Sequence, residues 1–219
     1  MRLSILLIVL FLASCADKSS VAIIQKPITF DETRESLSIQ YLKERHGIEQ
    51  KDATIDPKMV VVHWTVVPTL EKTFDVFNPT ELPSSRAQIS SASSLNVSAH
   101  FLVDRDGTIY QLLPTNTFAR HTIGLNYTAI GIENIADGNA LPLTQAQILA
   151  NIQLIEYLAQ KHRIEYVIGH HEYQRFIGHE LWKETDAAYL TEKTDPGDAN
   201  MTIIRAGLVD LNLKSLPSQ

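Results

Sequence analysis

Short apolar segments of this chain run directly into residues with titratable side chains. The segments are MVVVHW, AIGIENI and IEYVIGHH. The first is continuous and rich in β-branched residues, which is typical of a strand that is buried on both faces of a sheet. We therefore predict short buried strands, and we expect the residues at their ends, His63, Glu133 and His170, to lie along one edge of a sheet.

Helix signals alternate with these strands. Asp31 is a plausible N-cap for a helix over FDETRESLSIQYLKERHG, and Thr144 with Gln147 forms a capping box at the start of LTQAQILANIQLIEYLAQKH. Two further strand-like runs meet at Asp106-Gly107, which predicts a hairpin. The chain is therefore predicted to be a mixed α/β protein, with a central mixed β-sheet flanked by helices and a functional site at one edge of the sheet.

The composition favours one ordinary globular domain and argues against a nucleic-acid partner. Of the 219 residues, 44% are hydrophobic and 20% are charged, proportions that are typical of a soluble globular protein. The formal net charge is −6, and no long basic run provides the positive patch that nucleic-acid binding requires. We expect a single domain over residues 31–219, and a monomer.

The N-terminal segment predicts export and lipid attachment. Its apolar run from Leu3 to Ala13 is too short to span a bilayer and is typical of a signal peptide. Cys15 closes the segment LASC, which resembles the lipobox of bacterial lipoproteins, whose cysteine is acylated and becomes the mature N-terminus. The alternative is an ordinary signal peptide with an incidental cysteine. We expect residues 1–15 to be a signal peptide and residues 16–30 a tether.

The residue after Cys15 indicates to which membrane the lipoprotein would be directed. Two or three acyl chains hold a protein firmly on a membrane, whereas one chain binds only marginally. Ala16, rather than aspartate, follows Cys15, and this resembles the sorting rule that directs Gram-negative lipoproteins to the outer membrane. The expected location is therefore the outer membrane, facing the periplasm of a Gram-negative host.

The strand ends and one later loop together have the composition of a catalytic metal site. The loop EKTDPGD presents Lys193 and Asp195 beside a Pro-Gly turn. Two neutral imidazoles and one carboxylate form a typical three-ligand zinc site, which leaves a fourth position for water. The remaining glutamate and lysine would serve as base and oxyanion partner. A histidine at the end of a strand is more often a structural residue when taken alone, so this prediction depends on the combination.

The segment VIGHHEYQ places His170 and His171 side by side. Because successive side chains of a strand point to opposite faces, the two imidazoles cannot easily bind the same ion. One of them is expected to take no part in the chemistry, and periodicity alone leaves open which one.

The motifs VVHWT, SAHFLVDRDGTIYQLLP, ARHTIG, LNYTAIGIEN, VIGHHE and KTDPG occur in this order. Together they resemble the type 2 N-acetylmuramoyl-L-alanine amidases, which are relatives of phage lysozyme-amidases and of animal peptidoglycan recognition proteins. The resemblance covers residues 58–198, and with the lipobox it looks most like the outer-membrane lipoprotein branch. It implies a Zn²⁺ enzyme that hydrolyses the amide bond between N-acetylmuramic acid and L-alanine in peptidoglycan or muropeptides.

The resemblance also implies a role for individual residues of this chain. The roles are zinc ligand for His63, His170 and Asp195, general base for Glu133, oxyanion partner for Lys193, and lining of the substrate groove for His121 and Asn126. His171 would then face the other side of its strand.

Two other classes of function stay open. Some peptidoglycan recognition proteins lack a metal ligand and only bind muropeptide, so one alternative is a non-catalytic peptidoglycan-binding module. The other is a different periplasmic zinc peptidase that acts within the stem peptide, although the sequence lacks the HExxH motif of one large peptidase class. The segment 172–192 is longer than in many family members, and whether it shapes the cleft is also open.

Overall fold

The computed structural model describes residues 21–217 with the exception of residues 85, 87, 88 and 90. The predicted signal peptide, Cys15 and the first part of the predicted tether lie outside the described residues. The described residues form a six-stranded sheet in the order β1-β4-β3-β5-β2-β6. Its strands are β1 (Ile23–Gln25), β2 (Met59–Trp64), β3 (Phe101–Val103), β4 (Ile109–Gln111), β5 (Ala129–Asn134) and β6 (Tyr166–Gly169).

The sheet is mixed, as predicted. Strands β3, β5, β2 and β6 are mutually parallel, whereas β4 runs antiparallel to β3 and pairs in parallel with β1. The antiparallel pair is the predicted hairpin around Asp106-Gly107. The carboxyl ends of the four parallel strands meet at one edge, where parallel sheets place their ligand sites.

Helices cover the sheet, which confirms the predicted fold class. The α-helices are α1 (Glu32–His46), α2 (Leu70–Phe77), α3 (Gln145–Lys161) and α4 (Asp198–Ala206). Asp31 caps α1 by accepting from the Arg34 N–H, and both hydrogen bonds of the predicted capping box of α3 are present. Among the described residues, no helix combines the length and the apolar character needed to cross a membrane.

Strand β2 divides its side chains between two apolar cores, as expected for a strand buried on both faces. Val60 and Val62 pack into the core that includes residues of α3 and α4, whereas Met59 and Val61 pack into the core on the opposite face. Because side chains alternate along a strand, the next residue, His63, points to the face of Met59 and Val61.

The segment predicted to be a tether differs in the structure. Ile23–Gln25 form strand β1 and pair with Ile109–Gln111 at the edge of the sheet. The prediction of a tether over residues 16–30 is therefore wrong for this part, because a β-branched pair beside a free strand edge gains backbone hydrogen bonds that an unattached segment would lack. The part of the predicted tether before residue 21 lies outside the described residues.

The segment 172–192 is packed onto the body of the domain. The Lys183 N–H donates to the Gly124 carbonyl at 3.0 Å, and the Thr185 N–H donates to the carbonyl of Arg45 in α1 at 3.0 Å. The Trp182 ring lies so close to Gly124 that a Cβ there would be 2.6 Å from it. This insertion is therefore held between α1 and the loop that precedes β5.

Candidate active site

His63 and Glu133 lie side by side at the carboxyl edge of the sheet. They are paired in the register of β2 and β5. Ile130 and Ile132 belong to the same core as Val60 and Val62, so alternation places Glu133 on the face opposite to that core, as it does His63. The sequence thus brings an imidazole and a carboxyl together on one face.

His170 completes the cluster from the end of β6, although it does not lie on the strand. The strand ends at Gly169, and His170 opens a short 3₁₀ helix, His170–Phe176. The prediction of a strand that continues into both histidines is therefore wrong. The turn forms because the Glu172 carboxylate accepts from the Gly169 N–H at 2.7 Å and pairs with Arg205.

Three potential ligand atoms converge on one point. The distance from His63 Nδ1 to His170 Nδ1 is 2.9 Å, and the Oδ2 atom of Asp195 lies 3.3 Å from the first and 3.1 Å from the second. Ligand atoms at zinc-bonding distance from a tetrahedral ion lie about 3.3 Å from one another. The donor set and its spacing therefore fit a zinc ion, and the structure brings together the three residues predicted to hold it.

The protonation states also suit a metal site. Burial, together with the repulsion that a protonated His63 would exert, lowers the pKa of His170 to about 4, so this imidazole is neutral at pH 7. Burial alone would raise the pKa of Asp195, but its interactions with His170 and His63 outweigh burial and lower that pKa. The cluster thus offers neutral imidazole nitrogen and an ionised carboxylate, the forms that bind a metal.

His121 forms a hydrogen bond with His63 on the side of the ring that faces away from the predicted metal position. His121 Nε2 lies 3.2 Å from the Ala129 carbonyl, to which it must donate, and this leaves Nδ1 as an acceptor. His63 Nε2 lies 3.0 Å from that atom and can donate to it. The Nδ1 lone pair of His63 then points toward the predicted metal position, as expected for a ligand with an ordered second partner.

Gly131 makes room for this arrangement. A Cβ at position 131 would lie 2.9 Å from the His121 ring, closer than side chains pack. His121 also borders the cleft, and its contact with His63 is one that the motif pattern alone did not indicate.

Glu133 is partly buried at the wall of the cleft, and its Oε2 atom is enclosed by the protein. Burial and the neighbouring Asp195 carboxylate raise the pKa of Glu133 well above its usual value, while Lys193 and Arg86 act in the opposite direction. No group in the described part of the chain hydrogen-bonds to its Oε2 atom. A carboxyl with this environment is suited to accept and release protons.

These residues open into a cleft of about 210 Å³. Lys193 is exposed at the wall of this cleft. Arg86, which was not predicted from the sequence, also lines the cleft, and its positive charge lowers the pKa of Glu133. The exposed Val66 on the rim has a φ of 59°, a strained conformation for a β-branched residue. The cleft therefore combines the predicted metal group, the predicted base and three cationic side chains, those of Lys193, Arg86 and Arg120.

Asn126 is a buried turn residue beside the same site. Its Oδ1 atom accepts from the N–H groups of His121 and Thr122 at 2.8 and 2.6 Å. The side chain therefore fixes the turn that carries His121, a role for which asparagine is well suited. The predicted lining position is compatible with this placement.

His171 turns away from the cluster but contacts the loop of Asp195. Its backbone N–H donates to the Asp195 carbonyl at 2.8 Å, and its Nδ1 lies 3.0 Å from the same oxygen. Its Nε2 lies 2.9 Å from the Asp198 carboxylate at the start of α4. The expectation of an uninvolved neighbour missed this supporting contact, for which the sequence carried no signal.

A mixed sheet whose carboxyl edge carries a His-His-Asp group beside a partly buried glutamate defines the class of this protein, a hydrolase with a site suited to a metal ion. The model of the family described as N-acetylmuramoyl-L-alanine amidase matches residues 39–198, well over half of the chain. The chain belongs to this family, as its motifs predicted.

Solved structures with the same fold include two amidases from Clostridium intestinale URNW. LysC is 23% identical with a TM-score of 0.53 and covers 89% of this chain and 100% of its own. LysCS is 22% identical with a TM-score of 0.52 and covers 88% and 97%. The endolysin of the Thermus scotoductus MAT2119 bacteriophage Ph2119 is 15% identical with a TM-score of 0.50 and covers 88% and 100%. No curated protein matches the chain by sequence.

Proposed function

We propose that this N-acetylmuramoyl-L-alanine amidase is zinc-dependent and cleaves the bond between the lactyl group of N-acetylmuramic acid and L-alanine, in peptidoglycan or in muropeptides. The amidase activity follows from the family. The observation that carries the zinc proposal is the convergence of His63 Nδ1, His170 Nδ1 and Asp195 Oδ2 within hydrogen-bonding distance of one another.

Water is a weak nucleophile and an amide is a weak electrophile, so the site must activate both. A bound zinc ion would supply a Lewis acid that activates water and polarises the scissile carbonyl. Glu133 would accept the proton of the attacking water and deliver it to the leaving amine, a sequence that its raised pKa favours. The ammonium group of Lys193, exposed at the cleft wall, would stabilise the developing oxyanion.

The neighbours of the ligands keep the site ordered during this reaction. His121 would hold His63 in the tautomer whose Nδ1 is unprotonated, and His171 would hold the carbonyl of Asp195. Both contacts orient ligand side chains without touching the substrate's scissile bond, as outer partners of metal ligands do.

The products formed from a muropeptide distinguish the three candidate functions, which are amidase, stem peptidase and binding module. The purified chain from residue 21 onward is incubated with defined muropeptides, and the products are weighed by mass spectrometry. The amidase releases an intact stem peptide and a peptide-free glycan. A stem peptidase would shorten the peptide, and a binding module would leave the muropeptide unchanged. Loss of activity with a chelator and its return with zinc would support the metal assignment, whereas full activity after complete metal removal would refute it.

We also propose that the protein is a lipoprotein of the outer membrane, facing the periplasm, with its anchor on Cys15. The LASC segment and the following Ala16 support this proposal. Covalent geometry limits the chain between Cys15 and Ile23, the first residue of the sheet, to a reach of about 28 Å. The catalytic domain would therefore act on glycan close to the membrane surface.

A further inference from the structure

A second cavity, of about 70 Å³, lies beside the predicted metal group and is walled partly by the insertion 172–192. The body of the domain and the insertion both contribute to it. Its polar lining residues include His121, Thr122, Asn126 and His170 from the body, Tyr189 and Thr191 from the insertion, and the cationic Arg120 and Lys193. A cavity of this size accommodates a small polar group or a few waters.

Two buried polar atoms at this cavity lack a hydrogen-bond partner in the described part of the chain. Asn126 is 1% exposed, and because its Oδ1 is occupied by two backbone N–H groups, only the Nδ2 donor remains for the cavity. Within the described residues, neither Asn126 Nδ2 nor the hydroxyl of Thr191 has a hydrogen-bond partner. A buried polar group without a hydrogen-bond partner lowers the stability of the folded protein. A bound ligand that forms hydrogen bonds with Asn126 Nδ2 and the Thr191 hydroxyl would remove this cost.

The chemistry of the walls specifies an acceptor. The Tyr189 hydroxyl accepts from Arg120 Nη2 at 3.2 Å, which leaves its own hydrogen free to donate. Lys193 also lines the cavity and adds positive charge. A carboxylate or carbonyl oxygen satisfies this set of donors, whereas a cation or a purely donating group does not.

The insertion holds these groups independently of their hydroxyls. Both the N–H and the carbonyl of Thr191 are hydrogen-bonded to the Tyr173 hydroxyl, at 2.8 and 2.7 Å. The guanidinium of Arg45 lies 4.5 Å from the centre of the Tyr189 ring. Removal of either hydroxyl therefore leaves the backbone and the ring in place.

We infer that this cavity is a substrate subsite, in which Asn126 Nδ2, Thr191 Oγ1 and Tyr189 Oη bind a carboxylate or carbonyl oxygen of the muropeptide. The inference rests on the proposed function for the identity of the substrate. The insertion 172–192 thus completes the subsite with Tyr189 and Thr191 and contributes to substrate specificity.

The test compares Thr191→Val and Tyr189→Phe with a matched control, Thr185→Val. Thr185 belongs to the same insertion, but its hydroxyl donates to the carbonyl of Glu44 in α1 and does not line the cavity. In the two subsite variants, KM and the calorimetric Kd for a muramoyl tripeptide should rise by about three- to tenfold, the loss of one hydrogen bond. Zinc content and kcat should stay as in the unaltered chain, and the control should keep its KM.

A second arm locates the bound oxygen. An effect on both N-acetylmuramoyl-L-alanine and N-acetylmuramoyl tripeptide places it in the part that the two ligands share, and an effect on the tripeptide alone places it further along the stem. Unchanged KM and Kd in both subsite variants, with peptide still released, would overturn the subsite and leave the amidase intact. Weakened binding in these variants without any peptide release would overturn the proposed function and leave the subsite.

Discussion

Acid is expected to destabilise this protein through His46, which lies at the interface between α1 and the insertion 172–192. The side chain is 4% exposed. Its Nδ1 contacts the Lys183 carbonyl, and among the described residues Nε2 has no partner. Burial, reinforced by the charges of Arg45 and Lys183 and opposed by that hydrogen bond, lowers the pKa of His46 to about 4.

The sign and size of the effect follow from this lowered pKa. The unfolded chain, with a histidine pKa of about 6.5, takes up a proton that the folded chain does not bind until the pH approaches 4. Stability from this group is therefore complete above pH 6.5 and is lost as the pH falls from 6.5 toward 4. Between pH 7 and pH 5 the loss from His46 is about 2 kcal/mol, a large share of a typical folding free energy.

The assay is urea unfolding at pH 7 and pH 5, with a chelator present, for the unaltered chain and for His46→Asn. Asparagine can keep a donor toward the Lys183 carbonyl but does not titrate. The variant should be less stable at pH 7, yet its loss of stability between the two pH values should be smaller by about 2 kcal/mol. Other histidines, including the buried His100 with its pKa lowered to about 4, titrate in both proteins and cancel. Equal losses in the two proteins would refute a neutral, buried His46.

Four further predictions concern the site, the anchor and the insertion. Glu133→Gln should retain zinc by elemental analysis while kcat falls by about two to four orders of magnitude; near-normal turnover of the zinc-loaded variant would assign the base to another group. His170→Ala should lose both metal and activity, whereas His171→Ala should keep about one zinc per chain; the reverse result, with folding checked by circular dichroism, would mean that the ligand is the second histidine. Cys15→Ala should abolish lipid labelling and membrane fractionation, and an unaltered chain recovered soluble and unlabelled would disprove the anchor. Gly124→Ala should lower the free energy of unfolding by about 1 to 3 kcal/mol, because φ is +74° there and the added Cβ would lie 2.6 Å from the indole of the insertion; an unchanged urea midpoint would show that the insertion yields without cost.

Features of the fold that are encoded locally were predictable from the sequence. The caps of α1 and α3 depend on residues within one turn of the helix start, and the buried strands depend on runs of six residues or fewer. Asp31 and Thr144 accordingly occupy their predicted positions. The edge strand Ile23–Gln25 was missed because its stability comes from pairing with Ile109–Gln111, a contact between segments that are far apart in sequence.

The parts of the site that depend on loop conformation were less predictable. Motif order indicated which residues belong to the site, but the hydrogen bond between His121 and His63 depends on how the turn held by Asn126 folds back over β5. The same limit applies to Thr191, whose place beside the cavity depends on the anchoring of its backbone by Tyr173. Spacing along the chain carries no information about such contacts.

The adjacent histidines illustrate both the strength and the limit of counting along a strand. Alternation places His170 on the side of Tyr166 and Ile168, the face of the second core, and this remains true although the chain leaves the strand at Gly169. A Cβ on Gly169 would lie 2.6 Å from the His171 ring, so the glycine allows that ring to fold back toward the Asp195 carbonyl. His171→Ala removes the ring contact but leaves the backbone N–H bonded to the same oxygen at 2.8 Å. The loop of the third predicted ligand thus keeps one of its two supports, which is why metal should be retained when this histidine, and not its neighbour, is replaced.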